Sequence, residues 1–235
     1  MIRPSLRIIF TLALAASFGA ALVSGAEPEL VDIRSVDPTI LVELRYAGSR
    51  NIAQRALYPP NFPALVRPVV AAKLSVAQTD LLPRGYRLKI WDAYRPKYAH
   101  DQHWALSQNK DYVANPADGL GSLHTWGVAV DATLVDDQGH EVAIPTDFDE
   151  FTPAAMLRYL GNDPGVRMHL HTLQRAMGRA GFFGMRTEWW HFISKGWMKF
   201  RTIPDASVLS GPTPANASPD ARAGNSASSP GLRSR

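Results

Sequence analysis

The chain has 235 residues, a formal net charge of +4 at pH 7 and no cysteine. The lack of cysteine excludes disulfides, a lipid anchor on an N-terminal cysteine and a zinc site closed by thiolates. Much of the positive charge comes from arginines near the two ends, so the central part is close to neutral. It shows no basic stripe of the kind that binds nucleic acid.

The N-terminal stretch is typical of a secretory signal peptide. Two arginines precede an apolar run from Ile8 to Val23, and three small residues ending at Ala26 follow it. A retained membrane anchor is the alternative, but the run is short for a bilayer span and the small residues form a cleavage pattern. We therefore expect residues 1–26 to be removed, the mature protein to be exported to the periplasm, and no stable membrane span to remain.

The rest of the chain divides by composition. Residues 27–204 carry aromatic and large aliphatic side chains throughout and have the length of one domain. Residues 205–235 are dominated by Ser, Pro, Ala, Gly and Asn, and such a segment buries too little apolar surface to offset the entropy of ordering it. We expect a disordered tail there; a linker facing the cell wall is the alternative.

The first half of the domain predicts alternating strands and helices. A strand is expected from Ile40 to Tyr46, and apolar residues at helical spacing indicate a helix from Leu65 to Leu82. Alternation of apolar and basic residues predicts a half-buried strand from Tyr86 to Trp91. Pro96 then suits the start of a helix that ends near Asn109.

The second half begins with a loop over residues 111–123, which contains one proline and two glycines. A strand is expected from Val128 to Val135, with Glu141–Ile144 pairing back as a hairpin. A helix from Val166 to Ala180 and a buried strand from Trp189 to Ile193 follow. The order predicts an α+β fold in which helices flank a mostly antiparallel sheet.

Two segments contain residues that could bind a metal. The first, residues 122–131, holds His124 and Asp131, and the second, residues 188–191, holds Glu188 and His191. Catalytic zinc usually takes three nitrogen or oxygen ligands and leaves one position for water. In an ideal strand Glu188 and His191 would face opposite sides, so a shared site requires a bulge. The alternative is a surface glutamate and a structural histidine of the core.

Four separated motifs carry a resemblance to a known family. Ser122-x-His124-x-x-Gly127-x-Ala129-x-Asp131 joined to Glu188-x-x-His191 resembles the LAS family of peptidoglycan metallopeptidases, whose fold is shared with hedgehog proteins. Trp91-Asp92-Ala93-Tyr94-Arg95-Pro96, Asp147-Phe148-Asp149 and the paired tryptophans before His191 resemble its D-alanyl-D-alanine dipeptidase branch, which includes the vancomycin-resistance dipeptidases. The likeness extends from about Leu41 to Phe200.

The resemblance implies a role for each residue of these motifs. His124, Asp131 and His191 would bind one zinc ion per chain, and Glu188 would be the catalytic base. Arg95 would stabilise the transition state, although an arginine after a strand often pairs with a structural carboxylate such as Asp92. Residues expected to hold the free amino group of the dipeptide are Ser122 and Asp149.

The implied activity is hydrolysis of D-Ala-D-Ala to free D-alanine. A carboxylate that pairs with the amine of the substrate fixes its distance from the metal, so only one residue fits before the cut. A D,D-carboxypeptidase or endopeptidase acting on wall peptides, and a non-catalytic zinc-containing wall-binding module, are the alternatives.

Other polar residues are expected to have lesser roles. Asp147 is interpreted as a solvated turn carboxylate. His100 and His103 share a helix face, but no nearby carboxylate completes a separate metal site, so neither is expected to bind metal. Trp126 stands where a small or polar residue is expected, and it is predicted to reshape the rim of the pocket.

Overall fold

The computed structural model of the protein describes residues 29–209. The predicted signal peptide, residues 1–26, and residues 210–235 of the predicted tail lie outside the described residues. Within the described range, none of the helices combines the length and the apolar character that crossing a bilayer requires.

A five-stranded sheet forms the centre of the molecule. Its strands, in spatial order, are β2 (Leu41–Val42), β4 (Tyr86–Asp92), β5 (Ala129–Asp136), β7 (Glu188–Ser194) and β6 (Phe182–Met185). The pairing of β2 with β4 is parallel and the other three pairings are antiparallel. A second, two-stranded sheet pairs β1 (Val31–Asp32) with β3 (Leu65–Val66). The predicted mostly antiparallel α+β fold is confirmed.

Within residues 29–209, five α-helices accompany the sheets: α1 (Ile33–Val36), α2 (Pro68–Leu81), α3 (Lys97–Leu106), α4 (Pro164–Arg179) and α5 (Asp205–Leu209). Helices α2 and α4 contact each other, and they pack on β4 and β6 respectively. The core between these helices and the sheet is apolar and fully or almost fully buried; it includes Leu74, Leu81, Leu88, Ile90, Leu173, Met177 and Phe182.

Several predicted elements have different bounds in the structure. The strand expected to reach Tyr46 ends at Val42, and Arg45–Ala47 forms a 3-10 helix in which Arg45 and Tyr46 are both buried. The predicted helix at Leu65 begins instead at Pro68, which suits the first helical position, because the two residues before Arg67 pair with β1. Glu141 forms a single bridge with Val135 instead of a full hairpin strand.

The segment after Pro204 starts with ordered residues. Asp205–Leu209 is a short helix, and the Asp205 carboxylate accepts hydrogen bonds from the Lys97 and Tyr98 amides at 2.7 and 3.1 Å. These amides belong to the first turn of α3, where no partner within the helix is available. The chain therefore returns after the last strand to cap helix α3.

Two register shifts shape one end of the sheet. Between β4 and β5 the register changes from Ile90 to Asp92, which places Asp92 opposite Asp131. Between β6 and β7 it changes after Gly184, so that Met185 pairs with Glu188. The irregularity that a shared site of Glu188 and His191 requires is therefore present, as predicted.

Candidate active site

His124 is held in position by its local backbone. It lies in a 3-10 helix, Leu123–Trp126, whose first turn is capped by Ser122 and which ends at Gly127 with a φ of 68°. Its Nδ1 lies 2.7 Å from the Ala93 carbonyl oxygen, which can only accept a hydrogen bond. Nδ1 therefore carries the proton, and Nε2 keeps a lone pair for a cation.

Three side chains offer ligand atoms around one point. His124 Nε2 lies 3.1 Å from His191 Nδ1, and Asp131 oxygens lie 3.0 Å from His191 Nδ1 and 3.4 Å from His124 Nε2. Tetrahedral zinc with bonds of about 2.0–2.1 Å requires ligand atoms about 3.3 Å apart. The three buried residues therefore fit a zinc ion in spacing and in donor type.

Charges in this cluster favour an ionised Asp131. Burial works against ionisation of Asp131, but the neighbouring imidazoles of His124 and His191 outweigh it and lower the pKa of the carboxyl. Burial also lowers the pKa of His191, which favours the neutral imidazole. An ionised carboxylate and neutral imidazoles are the forms that bind metal.

Glu188 lies beside this cluster without belonging to it. Its Oε2 is 3.8 Å from His191 Nδ1, and the side chain is buried. Burial, together with the charges of Asp131 and Asp149, raises the pKa of Glu188 well above its usual range. A carboxyl group in this position can exchange a proton with a molecule bound at the ligand cluster.

Arg95 forms the ion pair with Asp92 that was the structural alternative, and it also lines the pocket. Its guanidinium pairs with the structural carboxylate of Asp92 at 2.8 Å, and Nη2 also lies 3.3 Å from an Asp131 oxygen. The guanidinium stacks on the Tyr46 ring, 4.7 Å from its centroid. Arg95 is buried and lines the pocket, and its ion pairs and its contact with Tyr46 hold the guanidinium in place.

Asp149 has a buried carboxylate and an uncommon backbone conformation. Its φ is 59°, a left-handed conformation that costs energy for a residue with a side chain. The carboxylate accepts hydrogen bonds from the Tyr46 hydroxyl at 3.0 Å and from the Ile52 amide at 3.1 Å. Burial raises the pKa of Asp149 to about 7, although Arg95 and the Ile52 amide oppose the shift.

The neighbouring residues explain how Asp149 is held. Phe148 is buried against the rings of Tyr46, Trp91 and Trp190, and it anchors the segment. Asp147, by contrast, is half exposed and lies 3.3 Å from Arg50 on the surface. The interpretation of Asp147 as a solvated carboxylate agrees with this position.

His103 is a site residue that the sequence reasoning left out. It lies on α3, and its Nδ1 is 3.0 Å from Arg95 Nη1. Its Nε2 lies 3.4 Å from the Tyr46 hydroxyl and 3.9 Å from Asp149 Oδ1. The spacing of His100 and His103 on one face of the helix after Arg95-Pro96 was the available indication.

These side chains surround a pocket of about 240 Å³. The pocket is lined by the three predicted metal ligands and also by Glu188, Arg95, Ser122 and Asp149. Apolar side chains, which include Tyr112, Leu120 and Trp197, complete the lining. Trp126 does not line the pocket: its ring is buried, donates to the Leu120 carbonyl and packs against Trp197. Trp126 thus contacts two residues of the pocket wall, Leu120 and Trp197, and the expectation that it reshapes the rim stays a prediction.

Comparison with known proteins identifies the family of this protein. The peptidase M15 family model, described as D-ala-D-ala dipeptidase, matches residues 26–208. The chain belongs to this family. The D-Ala-D-Ala dipeptidase family match extends over every residue of the pocket, and it confirms both the predicted resemblance and the prediction that the protein is a peptidase.

Individual members of the D-Ala-D-Ala dipeptidase family are similar over most of their length. The D-alanyl-D-alanine dipeptidase of Escherichia coli (strain K12) is 32% identical over 167 residues, which cover 70% of this chain and 83% of that protein. The D-alanyl-D-alanine dipeptidase of Enterococcus faecalis is 30% identical over 140 residues, covering 52% and 69%. That of Enterococcus faecium is 27% identical over 146 residues, covering 53% and 70%.

Proposed function

We propose that the protein is a zinc-dependent dipeptidase that hydrolyses D-Ala-D-Ala to free D-alanine. The observation that carries the proposal is the convergence of His124, Asp131 and His191, whose ligand atoms lie within 4.8 Å of one another, beside the unligated carboxyl of Glu188. The names of the family and of the curated relatives support the substrate.

The reaction requires a base and an acid at the same place. Zinc held by His124, Asp131 and His191 would supply a Lewis acid that acidifies water and polarises the scissile carbonyl. Glu188 takes a proton from the attacking water and passes it to the leaving amine. A positioned general base of this kind contributes roughly 10²–10⁴-fold in rate.

Negative charge develops on the carbonyl oxygen during attack. Arg95 faces the pocket with a guanidinium that is always protonated, and its pairing with Asp92 and Asp131 prevents it from swinging away. A preorganised cation in a buried site stabilises the oxyanion without reorganisation cost. The structural pairing of Arg95 thus serves its proposed catalytic role.

Recognition of the free amine is assigned to Asp149 and Ser122. The Asp149 carboxylate is buried, and among residues 29–209 it is held by two neutral hydrogen-bond donors and not by a contacting Lys or Arg. A substrate ammonium group supplies a positive charge, whereas an acylated amine leaves the carboxylate buried and unpaired, at a cost of roughly 1–3 kcal/mol. This arrangement favours dipeptides with a free amine over the wall peptides that a carboxypeptidase or endopeptidase would cut.

The decisive assay compares substrates that differ at one group. Free D-Ala-D-Ala is tested against its N-acetyl derivative and against L,D and L,L dipeptides, with the zinc content measured in parallel. We expect cleavage of the free D,D dipeptide and a loss of most activity on the acetylated one. Equal or faster cleavage of the acetylated compound would establish the carboxypeptidase instead.

We further propose that the enzyme works outside the cytoplasm, where it recovers dipeptide released by turnover of the cell wall. The apolar run from Ile8 to Val23 and the small residues before Glu27 support this placement. The test is the N-terminal sequence of the mature protein after fractionation of its host. Retention of Met1 in a purely cytosolic protein would contradict it.

A further inference from the structure

In the proposed function Arg95 binds the scissile carbonyl oxygen and Asp149 the free amine of the substrate, and His103 and Tyr46 lie between the two side chains. Of these two side chains, His103 is the one that contacts Arg95 through a hydrogen bond, and no ligand role accounts for it. It contacts Arg95 through Nδ1 and approaches Tyr46 and Asp149 through Nε2. It is buried and stacks on Phe151, with ring centroids 5.9 Å apart.

The direction of each hydrogen bond follows from the chemistry of the groups. A guanidinium only donates, so His103 Nδ1 must accept from Arg95 Nη1, at 3.0 Å, and the ring proton must be on Nε2. The single proton of the Tyr46 hydroxyl is directed to Asp149, which leaves the hydroxyl oxygen to accept from His103 Nε2 at 3.4 Å. The hydrogen bonds therefore form a chain in which every donor points the same way, from Arg95 through His103 and Tyr46 to Asp149.

The imidazole must stay neutral for this chain to exist. Burial and the adjacent Arg95 charge lower the pKa of His103 well below its usual range, so the ring does not protonate at neutral pH. A neutral histidine has one accepting and one donating ring nitrogen. It can therefore accept from the Arg95 guanidinium on one side of the ring and donate to the Tyr46 hydroxyl on the other.

We propose that His103 is a positioning residue that couples Arg95, at the scissile carbonyl, to Asp149, at the substrate amine. The inference rests on the proposed function for its catalytic meaning. Hydrogen bonds in such a chain polarise one another, so an ionised Asp149 makes the Tyr46 oxygen, and through it His103 Nδ1, a better acceptor for Arg95. A substrate ammonium favours the ionised form of the Asp149 carboxyl, whose pKa is about 7, over the protonated form, which polarises the chain less. A dipeptide with a free amine thereby orders the guanidinium that its carbonyl needs.

The first part of the test needs no enzymatic activity. Long-range proton–nitrogen NMR spectra of the parent protein at pH 8 report the tautomer of each histidine, and the signals of His103 are assigned by their loss in His103→Gln. We expect a ring with bare Nδ1 and protonated Nε2 that does not titrate between pH 6 and 8. A His103 protonated on Nδ1 would overturn the proposal, whatever the substrate of the enzyme.

The second part measures kcat and KM for free D-Ala-D-Ala. His103→Phe keeps the ring and its stacking but cannot accept from Arg95, and we expect kcat/KM to fall about 10- to 100-fold. His103→Gln retains an acceptor and a donor and should stay within about threefold of the parent. The control is His171→Phe on the exposed face of α4, which should leave both constants unchanged.

A double-mutant cycle separates coupling from general damage. If the chain is continuous, Tyr46→Phe and His103→Phe break the same connection, so their combined effect on kcat/KM is smaller than the product of the two single effects. Independent, fully multiplicative effects would overturn the proposal, as would parental constants in His103→Phe. If the parent does not cleave the dipeptide, the proposed function fails, while the tautomer still decides the direction of the chain.

Discussion

Asp131 and His191 are direct partners on neighbouring antiparallel strands, with Asp131 Oδ1 3.0 Å from His191 Nδ1. Side chains of directly opposed residues stand on the same face of a sheet. The register of β5 and β7 therefore brings together two predicted metal ligands that are sixty positions apart in the chain. His124 reaches the same point from the turn that leads into β5.

Replacement of Asp131 by Asn should weaken zinc binding while keeping the shape of the side chain. The amide carries no charge to offset the cation, and we expect the affinity for zinc to fall by at least about 100-fold. Zinc content after gel filtration and titration with a chelator measure the change. Asp137→Asn, an exposed change on the turn after β5, is the control; equal zinc affinity in the two variants would refute the ligand set.

Glu188→Gln should separate zinc binding from hydrolysis. Gln has nearly the same volume but cannot take a proton from water, so we expect kcat for D-Ala-D-Ala to fall by roughly 10²–10⁴-fold. The zinc content should remain at one per chain, because Glu188 is outside the ligand set. A variant that binds zinc and hydrolyses as fast as the parent would rule out Glu188 as the base.

The pH dependence of KM should report Asp149. An ionised carboxylate is required to pair with the substrate ammonium, and the pKa of Asp149 is about 7. As the pH falls through 7 the carboxyl gains a proton, so KM should rise by about tenfold per pH unit below that value. Asp149→Asn should show a high KM that no longer varies over this range; a parent KM that is constant from pH 6 to 8 would contradict the assignment.

Gly127→Ala should destabilise the turn that carries His124. Gly127 has a φ of 68°, and a Cβ there would lie 2.6 Å from Leu30 Cδ2. The left-handed conformation alone costs an alanine roughly 1–2 kcal/mol, and the contact adds to it. Gly178→Ala in helix α4, where a Cβ meets nothing within 4 Å, is the matched control and should raise the melting temperature. Opposite shifts in the two variants are the expected result.

Asp205→Ala should loosen the start of helix α3. The carboxylate caps the Lys97 and Tyr98 amides and accepts from the Tyr94 hydroxyl at 3.2 Å. Loss of a capping side chain costs about 0.5–2 kcal/mol, measurable as a lower free energy of unfolding in urea. Asp101→Ala removes an exposed pair with Lys97 on the same helix and should cost much less. A smaller loss for Asp205→Ala than for this control would contradict the capping role.

Much of the fold could be predicted from local patterns. Alternating apolar residues indicated β4, and helical spacing indicated α2 and α4, because these elements bury one regular face. The strand predicted to reach Tyr46 stopped early, since Arg45 turns into the core, where its guanidinium lies 4.7 Å from the Trp91 ring centroid. The strand propensity of a segment does not depend on a contact with a residue so distant in the sequence.

The sequence by itself determined which side chains are candidates for the chemistry: two imidazoles and a carboxylate that could hold a metal in a chain without thiols, with Glu188 and Arg95 in further motifs. Only the tertiary structure decided how they are connected. The tautomer of His124 depends on the Ala93 carbonyl, and the place of His103 between Arg95 and Tyr46 depends on how α3 packs. Hydrogen-bond direction and burial arise from atoms far apart in the chain, so no local pattern contains them.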